Sequence, residues 1–512
     1  MHQQTRIRLF DIHSGTGAIL GVFLFAVAFT GIAALFFAEL EPWERDAARS
    51  AMPPGVPALD AALATAAGDE AIGLPSSFFV LLPQEFRPTI MLIHGVHGGV
   101  PVWEEFDGTT GAHLGPYAQG AGRFLRNLHT DLHIPGPFGR YLVGFGGVLM
   151  LLSIVTGVAI HAKIFRNLHV FRPFRSRRLA WTDAHNVLGV WGLPFHATLA
   201  FSGAILGLGG VLLSVVALAS FGGDRDKAVA AVLGERPAET GVAVQMASLD
   251  AMLADIGVRV PDAIPASVEI GNWGDAGGEA RFRVLRDDDL EWFETHAYSL
   301  ATGELSKVSS VGDSVGGRIY LALTPLHFGS FGGLAMKALY AVLGLALSLV
   351  TASGTIIWLE RRAQQKAPVA PWLAGATVGA MAGLPLASAA VLTAHHLLPD
   401  TTGRVFALGF VCFPVWVLAT VFGAWRNDDR SALRALMGAT AALLALAPVA
   451  RLLFDEGRAS LMPTTAVAVA EFSMLALAAA IAVAARAVPD RQHAPASTRR
   501  RLVAEPLSED AA

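Results

Sequence analysis

Eight apolar blocks of roughly bilayer-spanning length punctuate this chain, at about 15–38, 139–161, 185–221, 334–359, 372–394, 405–425, 432–452 and 464–485. A run of about 20 apolar residues can cross the hydrocarbon core as a helix, which satisfies its backbone N–H and C=O groups internally. The expected fold is an all-α polytopic membrane protein of about eight transmembrane helices. With 53% hydrophobic and 16% charged residues and a mean hydropathy of +0.49, 512 residues are too apolar for an ordinary soluble protein. The third block is longer than a bilayer needs, which predicts tilt or protrusion. The first is long for a signal peptide, and "FFAELEPWE" after it lacks a small-x-small cleavage site, so it reads as a retained helix.

Basic residues orient these spans. "KIFRNLHVFRPFRSRR" after the second span carries Lys163, Arg166, Arg172, Arg175, Arg177 and Arg178 and no acid. "ERRAQQK", "RNDDRSALR" and the "RR" of the tail are basic too. The positive-inside rule predicts that these face the cytoplasm. Both termini are then cytoplasmic, and the segments 39–138 and 222–333 lie outside.

Those two segments resemble each other. Each opens with a short amphipathic helix, "VPALDAALATAA" or "MASLDAMLADIG", continues through strand-like runs, "TIMLIHGV" or "ARFRVLR", and ends in "FDGTTGAHLG" or "YSLATGELSK". Thr-Gly in such a turn supplies the positive φ of a hairpin. A small α+β module occurring twice is expected. The spans echo the repeat, "LLSIVTG" closing the second and "ALSLVTASG" the fourth, with "HIPGPFGR" and "HFGSFGGL" before them. The predicted division is a first transmembrane helix (1–38), an external module (39–138), helices two and three with a basic loop (139–221), a second module (222–333), a fourth helix (334–362), a four-helix extension (363–490) and a tail (491–512).

Ionisable groups in a bilayer are costly and mark functional sites. "HNVLGVWGLPFH" places His185 and His196 eleven residues apart in the third span. On one continuous helix they share a face, about 16 Å apart. Sorted by depth, His13, His161 and His185 lie near the cytoplasmic face, and His129, His196 and His327 nearer the outer face, with His133 as an alternate. Two clusters at two depths predict a cytochrome b with two haem b groups, each held by two of its three histidines. Gly17, Gly189 and Gly332, following His13, His185 and His327, would leave room for a flat macrocycle. Zinc or copper is the competing reading, but zinc wants a tetrahedral set with carboxylate or thiolate help. A proton relay is another. His395 and His396 read as interfacial. His94, His97, His113 and His296 read as module side chains, and His2, His169 and His493 as solvated. The single cysteine, Cys412, excludes an internal disulfide, a Cys-ligated cluster and Cys-x-x-Cys-His attachment.

"RLFDIHSGTGAILGVFLFAVAFTGIAALFFAELEPWE", "FLRNLHTDLHIPGPFGRYLVG", "VTGVAIHAKIFRNLHVFRPFRSRRLAWTDAHNVLGVWGLPFH" and "LTPLHFGSFGG", in that order, resemble the PepSY-associated transmembrane helix family over about residues 5–362. This is a group of bacterial inner-membrane, often iron-regulated proteins that includes siderophore–iron reductases. The resemblance implies PepSY-like periplasmic modules and points to His13, His129, His161, His185, His196 and His327.

No Gly-x-Gly-x-x-Gly stands between a soluble strand and a helix, so no nucleotide or flavin domain is expected and electrons must come from quinol or a separate reductase. The expected activity is an oxidoreductase's: reduction of a ferric siderophore or other ferric chelate at the periplasmic face, with the His129 and His327 side as the exit. A non-enzymatic regulator binding a periplasmic protein, or a siderophore or metal transport accessory, is the alternative.

Overall fold

The structure is a computed structural model that describes residues 3–50, 57–97, 100–161, 169–172, 177–233, 235, 237–262, 264–285, 294–309, 315–364, 370–426, 429–454 and 464–488. Lys163, Arg166, Arg175, His2, His493 and the tail 491–512 lie outside the described residues. In chain order the first half comprises α1 (Gln3–Leu35), α2 (Glu41–Glu44), α3 (Asp46–Ser50), α4 (Leu59–Gly68), β1 (Phe78–Leu81), β2 (Thr89–His97), β3 (Val100–Asp107), β4 (His113–Pro116), α5 (Ala121–Thr130) and α6 (Phe138–Ile160). The second half follows with α7 (Arg177–Trp191), α8 (Leu193–Ser220), α9 (Arg225–Leu233), α10 (Leu249–Arg259), β5 (Ile264–Gly271), β6 (Glu279–Leu285), β7 (Glu294–Ser299), β8 (Leu305–Ser309), α11 (Val315–Phe328) and α12 (Gly333–Gln364). The extension is α13 (Pro371–His395), α14 (Arg404–Arg426), α15 (Asp429–Phe454) and α16 (Thr465–Ala487). Among the described residues eight helices, α1, α6, α8 and α12 to α16, are long and apolar enough to cross a membrane.

The third span departs from expectation. It is not one helix but two, α7 and α8, interrupted at Gly192. Pro194 lacks an N–H, and its ring would clash with the carbonyl four residues back, so a helix running through it breaks. His185 and His196 therefore sit on different helices.

The two repeats that lie between the spans are halves of one structure rather than separate modules. Their strands form a single antiparallel sheet in the order β4-β3-β2-β1-β5-β6-β7-β8, joined at its centre by β1 and β5 with Val80 opposite Val268. The outer hairpins turn at Gly111 (φ +70°) and Gly303 (φ +76°), the Thr-Gly positions of both repeats. Alternate strand residues bury Val80, Leu92, Phe106, Val268 and Phe282 against Leu59, Leu63, Met252 and Leu253 of α4 and α10. These two helices cap each other. Asp60 accepts from the Leu249 N–H at 2.8 Å and Asp250 from the Leu59 N–H at 2.8 Å. Each carboxylate thus satisfies the first-turn donors of the helix related to its own by the repeat, a contact worth about 1 kcal/mol per cap.

The other face of the sheet meets the segment after α1 and the start of α5 through Glu105 and Trp103. Glu105, next to core residue Phe106 on β3, forms a buried ion pair with Arg45, and its Oε1 accepts from the Thr89 hydroxyl at 2.7 Å. Between α1 and the sheet, Glu41 to Arg45 are all buried, and they meet the extension there. Trp43 is fully enclosed, its ring 4.4 Å from that of His396, and His395 Nε2 donates to the Glu44 carbonyl at 3.0 Å. His395 and His396, expected as interfacial side chains, are thus buried packing groups.

The Glu44 carboxyl accepts from the Gly122 N–H at the start of α5. Burial raises it to about 8, reinforced by Glu41 and opposed by the Gly122 bond, Arg45 and Arg404. A carboxyl raised on folding binds more protons in the native state than in the unfolded one. Stability should therefore fall as pH rises from Glu44's ordinary value near 4.5 to about 8. Glu44→Gln is expected to flatten that fall in thermal unfolding curves recorded in detergent across the window. An unchanged slope would exclude Glu44 as its source.

Candidate functional site

Four helices of the repeated unit carry imidazoles that meet in two pairs. His13 on α1 faces His185 on α7 with ring centres 6.2 Å apart, and His129 on α5 faces His327 on α11 at the same 6.2 Å. The two members of each pair come from opposite halves of the repeat.

Each ring is anchored through Nδ1 to another helix. His13 donates to the Ser153 carbonyl of α6 at 2.9 Å, and His185 to the Val350 carbonyl of α12 at 3.0 Å. His129 donates to the Val27 carbonyl of α1 at 2.9 Å. The Nδ1 of His327 meets the Ser202 hydroxyl at 2.9 Å and the backbone of Leu199 on α8. A carbonyl can only accept, so Nδ1 carries the proton and Nε2 keeps its lone pair. Metal-bound histidines are oriented by this same outer-shell bond. Among the described residues no hydrogen bond engages the Nε2 of any of the four.

Glycines make the close approach possible. A Cβ on Gly157 would lie 3.1 Å from His13 Cε1, on Gly354 3.3 Å from His185 Cε1, on Gly31 3.0 Å from His129 Cε1 and on Gly203 2.9 Å from His327 Cε1. Each imidazole therefore lies across a glycine one turn beyond the residue whose backbone it meets. The glycines expected from spacing seat no imidazole, and two of them border open space. A Cβ on Gly17 or Gly189 would meet nothing within 4 Å, and Gly332 serves a turn at φ +85°.

Four copies of one short pattern build these seats: "SIVTG" (153–157), "VTASG" (350–354), "VAFTG" (27–31) and "LAFSG" (199–203). The first two are visible in the span repeats. The second two were equally available as a signal, since they recur in the first and third spans, but they become meaningful only once a histidine is seen resting on each.

The remaining candidates lie elsewhere. His161 caps the end of α6 and makes no ring pair among the described residues; its Nδ1 is buried without a partner among them. His196 is buried on α8 beside Phe195, its Nε2 also without a hydrogen bond. His133 turns back onto its own segment, stacking on Phe124 with ring centres 4.1 Å apart and bonding through Nε2 to the Phe124 carbonyl at 2.9 Å. In the sheet, His113 pairs with Glu104 and His296 with Glu294.

Two imidazole nitrogens sharing one metal at about 2.0 to 2.1 Å, each about 1.1 Å from its ring centre, would put the ring centres at most about 6.3 Å apart. Both pairs match that spacing. Among the described residues no three His, Cys, Asp or Glu side chains converge on a common point, so neither pair has the protein donors of a tetrahedral ion site. The pairs also sit at different depths: His13 and Val27, which seats His129, are fourteen residues apart on α1, about 21 Å along the axis.

An uncharacterised protein of Pseudomonas aeruginosa is 31% identical over 345 residues, covering 64% of this chain and 86% of that protein. Residues 10–361 match the family described as the PepSY-associated TM region, taking in all four paired histidines and leaving the last four helices outside, and the chain belongs to that family.

Proposed function

We propose that this chain is a two-haem electron-transfer protein of the bacterial inner membrane that reduces ferric siderophores or related ferric chelates on its sheet-bearing, periplasmic side. One observation carries the reading: two half-buried imidazole pairs, each 6.2 Å apart with Nε2 unengaged, and no third protein donor among the described residues. A metal held by only two protein nitrogens would need the rest of its coordination from its own cofactor, which a porphyrin would supply. Bound there, haem iron would supply one-electron chemistry. The protein's part would be to hold the four imidazoles in one tautomer against their glycine seats and to exclude water with the surrounding helices.

Ferric iron in a chelate is gripped by hard oxygen donors, and gaining one electron weakens that grip. The electron comes from quinol or a separate cytoplasmic reductase. The basic connections support a cytoplasmic location for both termini and a periplasmic one for the sheet. On this reading the His129 and His327 pair, on the helices that follow the two halves of the sheet, faces the acceptor.

The absorption spectrum of the purified protein tests the reading. Sharp reduced b-type bands with two haems per chain are expected; a colourless protein would overturn it and favour a regulatory role for the external sheet. Direction is tested separately. A ferric siderophore added outside right-side-out vesicles should oxidise the pre-reduced protein, and the same compound added to the exposed cytoplasmic face of inverted vesicles should not.

A further inference from the structure

One turn before His129, α5 carries Arg126, and one turn earlier Arg123. Neither makes an ion pair with a carboxylate among the described residues, and the Nε of each is buried without a hydrogen-bond acceptor. The Arg126 guanidinium lies 5.1 Å from the centre of the Phe37 ring. That of Arg123 lies 5.4 Å from the same ring and 5.6 Å from Trp103. An aromatic face holds a guanidinium by its plane and leaves the N–H edges open, the edges that grip a carboxylate in a two-bond fork. Burial, then Arg123 and Arg140, press Arg126 down to about 10, against a weaker pull from Asp131. Asp131 is engaged elsewhere, accepting from the His133 N–H at 2.9 Å and from the Thr130 hydroxyl. Two neighbouring like charges whose Nε groups are buried without an acceptor are costly unless an anion joins them.

The repeat sharpens the point. Three and six residues before His327, where Arg126 and Arg123 stand relative to His129, the second half has Thr324 and Leu321. The imidazoles are related by the repeat, but the cations are not. A seat with two-fold symmetry would accept a flat macrocycle in either of two orientations; charge on one side selects one.

We infer that Arg123 and Arg126 bind the carboxylate groups of the porphyrin seated between His129 and His327, and so set its orientation. This rests on the haem reading above. An anionic ferric chelate presents the same chemistry, and the test separates the two sources.

The experiment uses the full chain in detergent, in a His185→Ala background so that only the His129 and His327 site is loaded. Protein reconstituted with haem b or with its dimethyl ester is mixed with excess apomyoglobin, and the rate of macrocycle transfer is read spectroscopically. Esterification removes the carboxylate charge, so transfer should be faster by about tenfold or more in the parent. In Arg123→Gln/Arg126→Gln the two macrocycles should leave at similar rates, and the haem reduction potential should fall, because nearby positive charge favours the reduced, less positive centre.

Equal transfer rates for haem and its ester in the parent would overturn the assignment without any variant having to fold. Equal acceleration by esterification in parent and variant would overturn it too, with the haem reading intact. Weakened ferric citrate binding in the variant, with macrocycle transfer unaffected, would give the arginines to the chelate instead. Failure of the parent to bind any haem would overturn the haem reading itself.

Discussion

Replacing His185 with alanine is expected to halve the haem content and leave the remaining spectrum intact. Among the described imidazoles His185 and His13 pair with each other, and the second pair lies about 21 Å further along α1. Each pair is also seated on its own carbonyls: Ser153 and Val350 for one, Val27 and the Leu199 backbone for the other. Removing one imidazole of a pair should thus empty one site with little strain on the other. His13→Ala should give the same spectrum as His185→Ala, and His129→Ala the same as His327→Ala. His161→Ala and His196→Ala should retain both haems, since neither ring faces another imidazole. Haem per chain by alkaline pyridine spectra, with low-temperature reduced spectra to separate the two centres, checks the set. Loss of both haems from every single variant would mean that the pairs are not independent. Full haem content in all six would remove the ligand assignment.

Gly207→Leu is expected to destabilise the membrane half by about 3 kcal/mol, the upper end of what overpacking costs. A Cβ on Gly207 would lie 2.5 Å from the Cα of Gly144, so α6 and α8 touch backbone to backbone. Small residues allow such crossings in lipid, where packing must replace the hydrophobic drive between helices. The consequence extends beyond stability, because α6 seats His13 through Ser153 and α8 seats His327 through Ser202. Forcing the two helices apart should loosen both pairs and lower both haem occupancies together, unlike the one-site loss from a histidine variant. Gly209→Leu is the control, since a Cβ there would meet nothing within 4 Å. Thermal unfolding in detergent, with haem content beside it, distinguishes the two glycines; equal stability would remove the crossing from the account.

Much of this architecture was open to reading from one strand of letters. Span length is a local property, set by hydrocarbon thickness and the rise of a helix, so the eight membrane segments stand out in composition alone. The repeats are legible for a similar reason: Asp-Gly and Thr-Gly turns and amphipathic helices have short-range signatures, and Gly111 and Gly303 take the positive φ that their turns require. The break in the third span was legible too, in Pro194, but the eleven-residue histidine spacing drew attention to a continuous helix that proline does not permit.

The sequence by itself determined which residues enter the membrane, that the chain is built from two related halves, and that histidines gather at two depths. Only the tertiary structure decided that the halves share one sheet through β1 and β5, that α4 and α10 exchange caps across about 190 positions, and that His13 meets His185 while His129 meets His327. The physical reason is the range of the forces involved. Helix length, turn type and burial are fixed by neighbours a few residues away. Which imidazole faces which depends on helices that cross where glycine lets them, and on carbonyls that are met only after the chain has folded back on itself.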